Sequence, residues 1–152
     1  VPPVEASAGS GRRHGRISLS DTGLAAALLG IRDPTALNLH PQRGALFETL
    51  VVGEFVKQRF NAGRPSALWF WRDNTSHEVD LLFESGTRLQ PVEIKSGATL
   101  VRDWLKGIEK WHGFTGDEAL PGWFIYGGED GYTREGVEVV PWRSIGITAG
   151  KT

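Results

Sequence analysis

Between His77 and Lys95 the chain alternates. Val79, Leu81 and Phe83 are interleaved with Asp80, Leu82 and Glu84, and Val92 and Ile94 with Glu93 and Lys95. A period of two predicts strands, here Glu78 to Glu84 and Arg88 to Lys95, joined by a turn around Ser85 and Gly86. Pairing Phe83 with Arg88 sets Val79 opposite Val92 and Asp80 opposite Pro91, diagonal to Glu93, so that Asp80, Glu93 and Lys95 share one face. A slip of one residue would turn the apolar side chains of the first strand away from Val92 and Ile94, so the apolar pattern favours the register that gathers the charges.

Elsewhere the periods change. Leu46, Phe47, Leu50, Val51 and Phe55 form a broad apolar stripe, which predicts a helix from about Arg43 to Phe60 packed on the sheet. Ala67 to Arg72 is apolar on both sides, with Trp69 and Trp71 on one face and Leu68 and Phe70 on the other; it reads as a strand covered on both faces. A first helix starts at Asp21 as N-cap and runs through LAAALL to Gly30. Ile31 to Pro41 is expected to be a connection, broken by Asp33-Pro34 and His40-Pro41. Thr99 to His112 predicts a helix with Leu100, Trp104, Leu105, Ile108 and Trp111 facing inward. Gly122 to Tyr126 is a strand, GGEDG a glycine-rich loop, Val137 to Val140 a short last strand, and PWRSI closes the unit. Together they describe an α/β domain over residues 17–150 with a mixed central sheet flanked by helices, preceded by a flexible tail over residues 1–16 that has no apolar period.

Composition narrows the function classes. A chain of 152 residues has room for one sizeable core. A net charge of −1 argues against coating nucleic acid by charge alone, so any contact with DNA has to come from a local patch. Without cysteine there is neither a disulfide nor a thiolate metal site, which fits a reducing cytoplasm. No secretory signal is present, and no apolar run approaches the roughly 18 residues of a membrane span. No GxxxxGK[ST] loop occurs, so ATP binding by that route is not expected. The lack of any Met, position 1 included, suggests a fragment or a processed chain.

The chemistry centres on the hairpin. Asp80 and Glu93 are hard oxygen donors of the kind that hold Mg²⁺ or Mn²⁺, and Lys95 beside them suits a water or a developing negative charge. The same three residues also suit the solvated side of a sheet. Glu48 and Glu54 interrupt the apolar stripe of the long helix, and a carboxylate there needs a metal or a partner such as Arg43 or Arg59. His77 and Glu78 lie within reach of the site, for proton transfer, for placing substrate, or for supporting a ligand. Arg102, Lys106 and Lys110 recur at spacing four and form the one ordered basic row, able to follow a phosphate backbone or simply to face water. Arg12, Arg13 and Arg16 in the tail, the aromatics of ALWFWR and the loop histidine His40 fit solvent, core and structural roles better than ligand roles.

The order helix, strand, strand, strand, helix, strand, with D…ExK on the second and third strands, resembles the PD-(D/E)XK nuclease superfamily. More narrowly, RGALFETLVVGEFVKQRF, LWFWRDNTSHEVDLLFE, PVEIKSGATL and GVEVVPWRSI resemble the C-terminal domain, classed as of unknown function, of bacterial and archaeal AAA-type ATP-binding proteins. ISLSDTGLAAALLGIRDP is similar to the stretch that enters that domain, so the likeness covers roughly residues 17–146. The resemblance implies a restriction-endonuclease-like core and a Mg²⁺-dependent nuclease acting on DNA, with Asp80 and Glu93 as metal ligands and Lys95 as the catalytic lysine. By its place in GALFE it also implies Glu48 as a further ligand, with Glu54 in reserve, while His77 and Glu78 match the family's GHEVD-like motif. It implies an AAA-type ATPase domain or subunit as partner. The alternative is a catalytically inactive module on the same fold that binds nucleic acid or docks the ATPase. For the enzyme, Lys95→Ala is expected to abolish cleavage while leaving folding and Mg²⁺ binding nearly intact.

Overall fold

Pairing of the alternating segments builds the middle of the molecule. The computed structural model describes residues 21–65, 67–116 and 120–148; the tail expected over residues 1–16 and the entry at 17–20 lie outside the described residues. Three helices come first, α1 (Thr22–Leu28), α2 (Pro34–Leu39) and α3 (Arg43–Asn61). Strands β1 (Leu68–Arg72), β2 (Glu78–Ser85) and β3 (Arg88–Lys95) follow, then a 3₁₀ turn at Arg102–Leu105 that runs into α4 (Lys106–Thr115). The chain continues through β4 (Trp123–Tyr126), β5 (Tyr132–Arg134) and β6 (Val137–Pro141), and after a second 3₁₀ turn at Trp142–Ser144 enters α5 (Ile145–Thr148).

The strands form one mixed six-stranded sheet in the order β1-β2-β3-β4-β6-β5. β3, β4 and β6 run parallel and the other neighbours antiparallel. The β3–β4 crossover passes through α4, as a parallel connection requires. One sheet face meets α3 and α5, where Val51, Phe55 and Ile145 pack on Leu81, Phe83, Val92 and Ile125. The other face meets the 3₁₀ turn and α4, with Leu105 and Ile108 on Phe124, Tyr126 and Val139, and Trp111 on Val79 and Leu82. The expected α/β architecture and the order α3-β1-β2-β3-α4-β4 are therefore present. Among the described residues no helix is long and apolar enough to cross a membrane.

The hairpin register differs from the expected one. Ser85 lies opposite Arg88 and Leu81 opposite Val92, two residues from the predicted pairing, because the turn is the two-residue Gly86-Thr87 rather than a longer loop. Gly86 has φ +62° while Thr87 is not among the positive-φ residues, which is the pattern of a type II′ turn. A shift of two preserves the faces, so the charged side chains stay gathered.

β2 is not a flat strand, however. Trp69 pairs with Leu82 but Trp71 with Val79, so Asp80 and Leu81 together face Phe70 and form a β-bulge. Strict alternation would keep Val79 with Leu81 and Phe83; instead Val79 joins Leu82 and Trp111 under α4.

Three further differences have local causes. The expected connection contains α2, because Asp33 caps it by accepting the Ala36 N–H at 2.9 Å and Pro34 occupies its first turn. The predicted helix over 99–112 begins later: Thr99–Val101 is irregular and Arg102–Leu105 is 3₁₀, although its five inward residues pack as expected. β5 was not expected; its hairpin with β6 turns on Glu135 and Gly136, with φ +50° and +77°.

Candidate active site

Asp80 is aimed by the bulge. Its Oδ2 accepts the backbone N–H of Ile94 in β3 at 2.8 Å and the Lys95 ammonium at 3.0 Å. A side chain thus takes a bond that a regular ladder gives to a carbonyl, and the carboxylate is locked against the strand that carries the other two groups. Lys95 also contacts Glu93 Oε1. Asp80 and Glu93 are buried, with side chains 4% and 6% exposed, while Lys95 keeps 31%.

Two acids and one base leave the cluster one positive charge short. Burial, together with the Asp80 charge and against the pull of Lys95, pushes the Glu93 carboxyl up to about 8. Burial draws the Lys95 ammonium down, but Asp80 and then Glu93 outweigh it and the lysine ends above its ordinary value. Glu93 Oε2 is buried and has no hydrogen-bond partner among the described residues.

α4 closes over Glu93 through a glycine. A Cβ on Gly107 would lie 2.0 Å from the Glu78 carbonyl oxygen and 3.3 Å from Glu93 Oε2, so the helix backbone comes this close to β2 only where it carries no side chain. On the side of α3 the site opens into a cavity of about 440 Å³. Arg43, Gly44 and Glu48 of α3 form one wall; Glu78, Asp80 and Lys95 form another; Ser96, Gly97 and Trp104 close the end. Arg43 donates to the Ser96 carbonyl at 2.7 Å, and the Trp104 ring packs on Gly97 and stacks on Phe124, 5.9 Å between centroids.

The structure thus brings together Asp80, Glu93, Lys95, Glu48 and Glu78. Among the described residues no three His, Asp or Glu side chains converge as a formed metal cluster, and Glu48 stands in the wall without completing one. Glu54 falls elsewhere: its carboxylate is 40% exposed and bonds Lys57 at 2.7 Å, rather than sitting against apolar surface or reaching an arginine.

His77 belongs to the turn before β2. Its Nδ1 lies 2.8 Å from Thr75 Oγ1 and 3.1 Å from Asp73 Oδ2, and its N–H donates to Asp73 Oδ1. The Thr75 hydroxyl and N–H also donate to the Asp73 carboxylate, each at 2.8 Å, and against partial burial the bonds from Thr75 and His77 hold that carboxyl down at about 2. His40 likewise accepts a local N–H, from Gln42 at 3.1 Å.

The basic row is not continuous, because its first member stands in the 3₁₀ turn. Arg102 faces Glu135 at 3.7 Å and Lys106 pairs with Asp103 at 3.0 Å, while Lys110 is exposed on α4. Trp69 and Trp71 pack into the core beside Trp111, as expected.

Lys95 also bears on folding. As the cation touching two buried carboxylates, it is part of the packing, so Lys95→Ala would leave uncompensated charge and would not leave folding nearly intact.

Sequence reasoning missed Arg43 as a wall residue, Gly107 and Asp73. Asp73 had a signal, since Asp followed two residues on by Thr is an Asx-turn pattern. The sequence offers Arg43 only as a partner for Glu48 or Glu54, and a glycine inside a helical period shows only that a contact is close, without naming it.

Comparison with known proteins finds a family and two relatives. A family model described as "Domain of unknown function (DUF4143)" matches residues 43–145, from the first residue of α3 to the first of α5, and so contains every wall residue above. An uncharacterized protein of Mycobacterium bovis and another of Mycobacterium tuberculosis are each 36% identical over 88 residues. That stretch is 58% of this chain and 19% of each relative, so the chain corresponds to a small part of proteins that are much longer.

Proposed function

The chain belongs to the DUF4143 family through residues 43–145, and on that premise we propose that it is a divalent-metal-dependent phosphodiesterase domain of the PD-(D/E)XK type acting on DNA. The observation that carries this reading is the unpartnered Oε2 of Glu93, buried beside a second carboxylate that is locked by a backbone N–H. An unmet carboxylate oxygen shut away from water costs several kcal/mol, and a hard divalent cation is the partner such an oxygen suits. The donor set therefore fits Mg²⁺ or Mn²⁺, with Asp80 and Glu93 as ligands and Glu48 as the further carboxylate in the wall. When bound, the metal polarises the phosphodiester and acidifies a water.

The remaining roles belong to the chain's own groups. The Ile94 N–H and the bulge orient Asp80. Lys95, kept protonated by the two carboxylates, stands 31% exposed at the cavity and stabilises negative charge that develops there. Glu78 adds negative charge to the same wall. In the longer relatives the matching stretch belongs to a larger polypeptide, and an AAA-type ATPase part is the partner we propose.

A second reading draws on one observation. Lys95 already touches both carboxylates, so the trio also works as a self-contained ion cluster in an inactive module that binds nucleic acid or docks the ATPase.

Thermal melts in Mn²⁺, run beside cleavage assays on single-stranded, duplex and branched DNA, separate the two. At a hundredfold excess over Kd, ligand linkage adds about 2.7 kcal/mol, roughly 5–10 °C for a domain of this size. The enzyme reading expects that rise in the wild type, none in Asp80→Asn, and loss of cleavage in Lys95→Arg, which keeps a cation on the two carboxylates. A melting temperature indifferent to millimolar Mn²⁺, with no cleavage, leaves the inactive module standing.

A further inference from the structure

The cavity has two cations in its wall, and only one is spent on the acidic pair. Lys95 faces Asp80 and Glu93. Arg43, at the first turn of α3, is half-buried, and its Nη2 donates to the carbonyl of Ser96 at 2.7 Å. A guanidinium offers five N–H donors in a planar fork, so one bond anchors the group and leaves donors for a second partner. Because Ser96 directly follows Lys95, that anchor holds the guanidinium at the strand end that carries the lysine.

The residue after Arg43 adds an independent observation. Gly44 lines the same cavity, and a Cβ built on it would meet nothing within 4 Å. Among the described residues no neighbour requires a glycine there, although glycine is a poorer helix former than alanine. The space it leaves belongs to the cavity.

We propose that Arg43 and the bare backbone at Gly44 form a phosphate subsite, in which the guanidinium takes the non-bridging oxygens of a nucleic-acid phosphodiester entering beside Asp80, Glu93 and Lys95. The inference rests on the phosphodiesterase reading for its substrate class. Its geometry stands apart from any metal. A single-charged phosphodiester with two equivalent oxygens matches a guanidinium fork better than an ammonium, and a side chain at Gly44 would occupy the approach.

The test uses the full chain, ¹⁵N-labelled, in EDTA, titrated with thymidylyl-thymidine, which has one phosphodiester, and with thymidine as the phosphate-free control. It is run on the wild type and on an Asp80→Asn/Glu93→Gln background, in which the acidic pair neither binds metal nor repels the anion. Saturable shifts at the Gly44, Ser96 and Gly97 amides are expected in that background, absent with thymidine. Arg43→Gln should weaken binding tenfold or more. Gly44→Ala should weaken it comparably while its melting temperature holds or rises, as it should for Gly53→Ala, whose added methyl also meets nothing within 4 Å.

Equal binding of thymidine, equal affinity in both Arg43→Gln and Gly44→Ala, or no saturable shift at these amides would overturn the subsite. A melting temperature raised by Mn²⁺ alongside such a failure leaves the metal reading intact; Arg43-dependent binding without any response to Mn²⁺ leaves the subsite and removes the metal.

Discussion

Glu93 is where the charge of the site and the stability of the protein meet. Its ordinary value of 4.5 rises to about 8 in the folded chain, first through burial and then through Asp80. Between those two values the unfolded chain gives up this proton while the folded chain keeps it. The contribution of this group to stability is therefore fully present below about pH 4.5 and is lost as the pH climbs through 8. Glu93→Gln removes the titration. Urea midpoints of wild type and variant, compared from pH 5 to pH 9, should show the wild type losing ground steadily; a difference that stays constant over that range contradicts the assignment. The three hairpin charges were legible because a period of two sorts side chains by face without knowledge of any neighbour. Arg43 was not, since its place depends on the carbonyl of Ser96, 53 positions away.

Two glycines of α4 have opposite meanings, although a helix propensity scale treats them alike. At Gly113 an added methyl meets nothing within 4 Å, so Gly113→Ala should stabilise the protein by about 0.5–1 kcal/mol. At Gly107 the same methyl would sit 2.0 Å from the Glu78 carbonyl oxygen, which is backbone and cannot step aside. Gly107→Ala should cost about 1–3 kcal/mol as the helix is pushed off β2, and it should loosen the cover over Glu93. Urea unfolding of the two variants measures this directly; changes of the same sign would show that α4 does not press on the strand. The bulge in β2 carries a similar lesson. Alternation predicts a flat strand, and only the pairing of Trp69 with Leu82 and Trp71 with Val79 reveals the extra residue that turns Asp80 onto Ile94.

Across the whole molecule the sheet separates two apolar layers, and β4, lying between β3 and β6, contributes to both. Phe124 of β4 is fully buried against Leu105, Ile108 and Val139, whereas Phe114 of α4 is 72% exposed. Phe124→Ala should cost about 3–5 kcal/mol, and Phe114→Ala less than about 1 kcal/mol, by equilibrium unfolding. Comparable losses would mean that the exposed aromatic is part of the core after all. Phe124 lies in the apolar run GWFIY, whereas Phe114 stands past the expected helix end at His112. The difference in burial arises from which element comes to rest on each.

Local chemistry was readable from the chain alone. Period two marked the hairpin, the apolar stripe marked α3, Asp21 marked the start of α1, and the order of helices and strands led to a mixed sheet, because each of these signals is carried by residues a few positions apart. The bulge, the cover of α4 over Glu93 and the cavity between α3 and β3 were not. They depend on where a carbonyl, a helix face or a bare glycine from a distant segment arrives. That is set by the packing of the elements against one another, and a carboxyl on a strand becomes buried with one oxygen unmet only once a helix has closed over it.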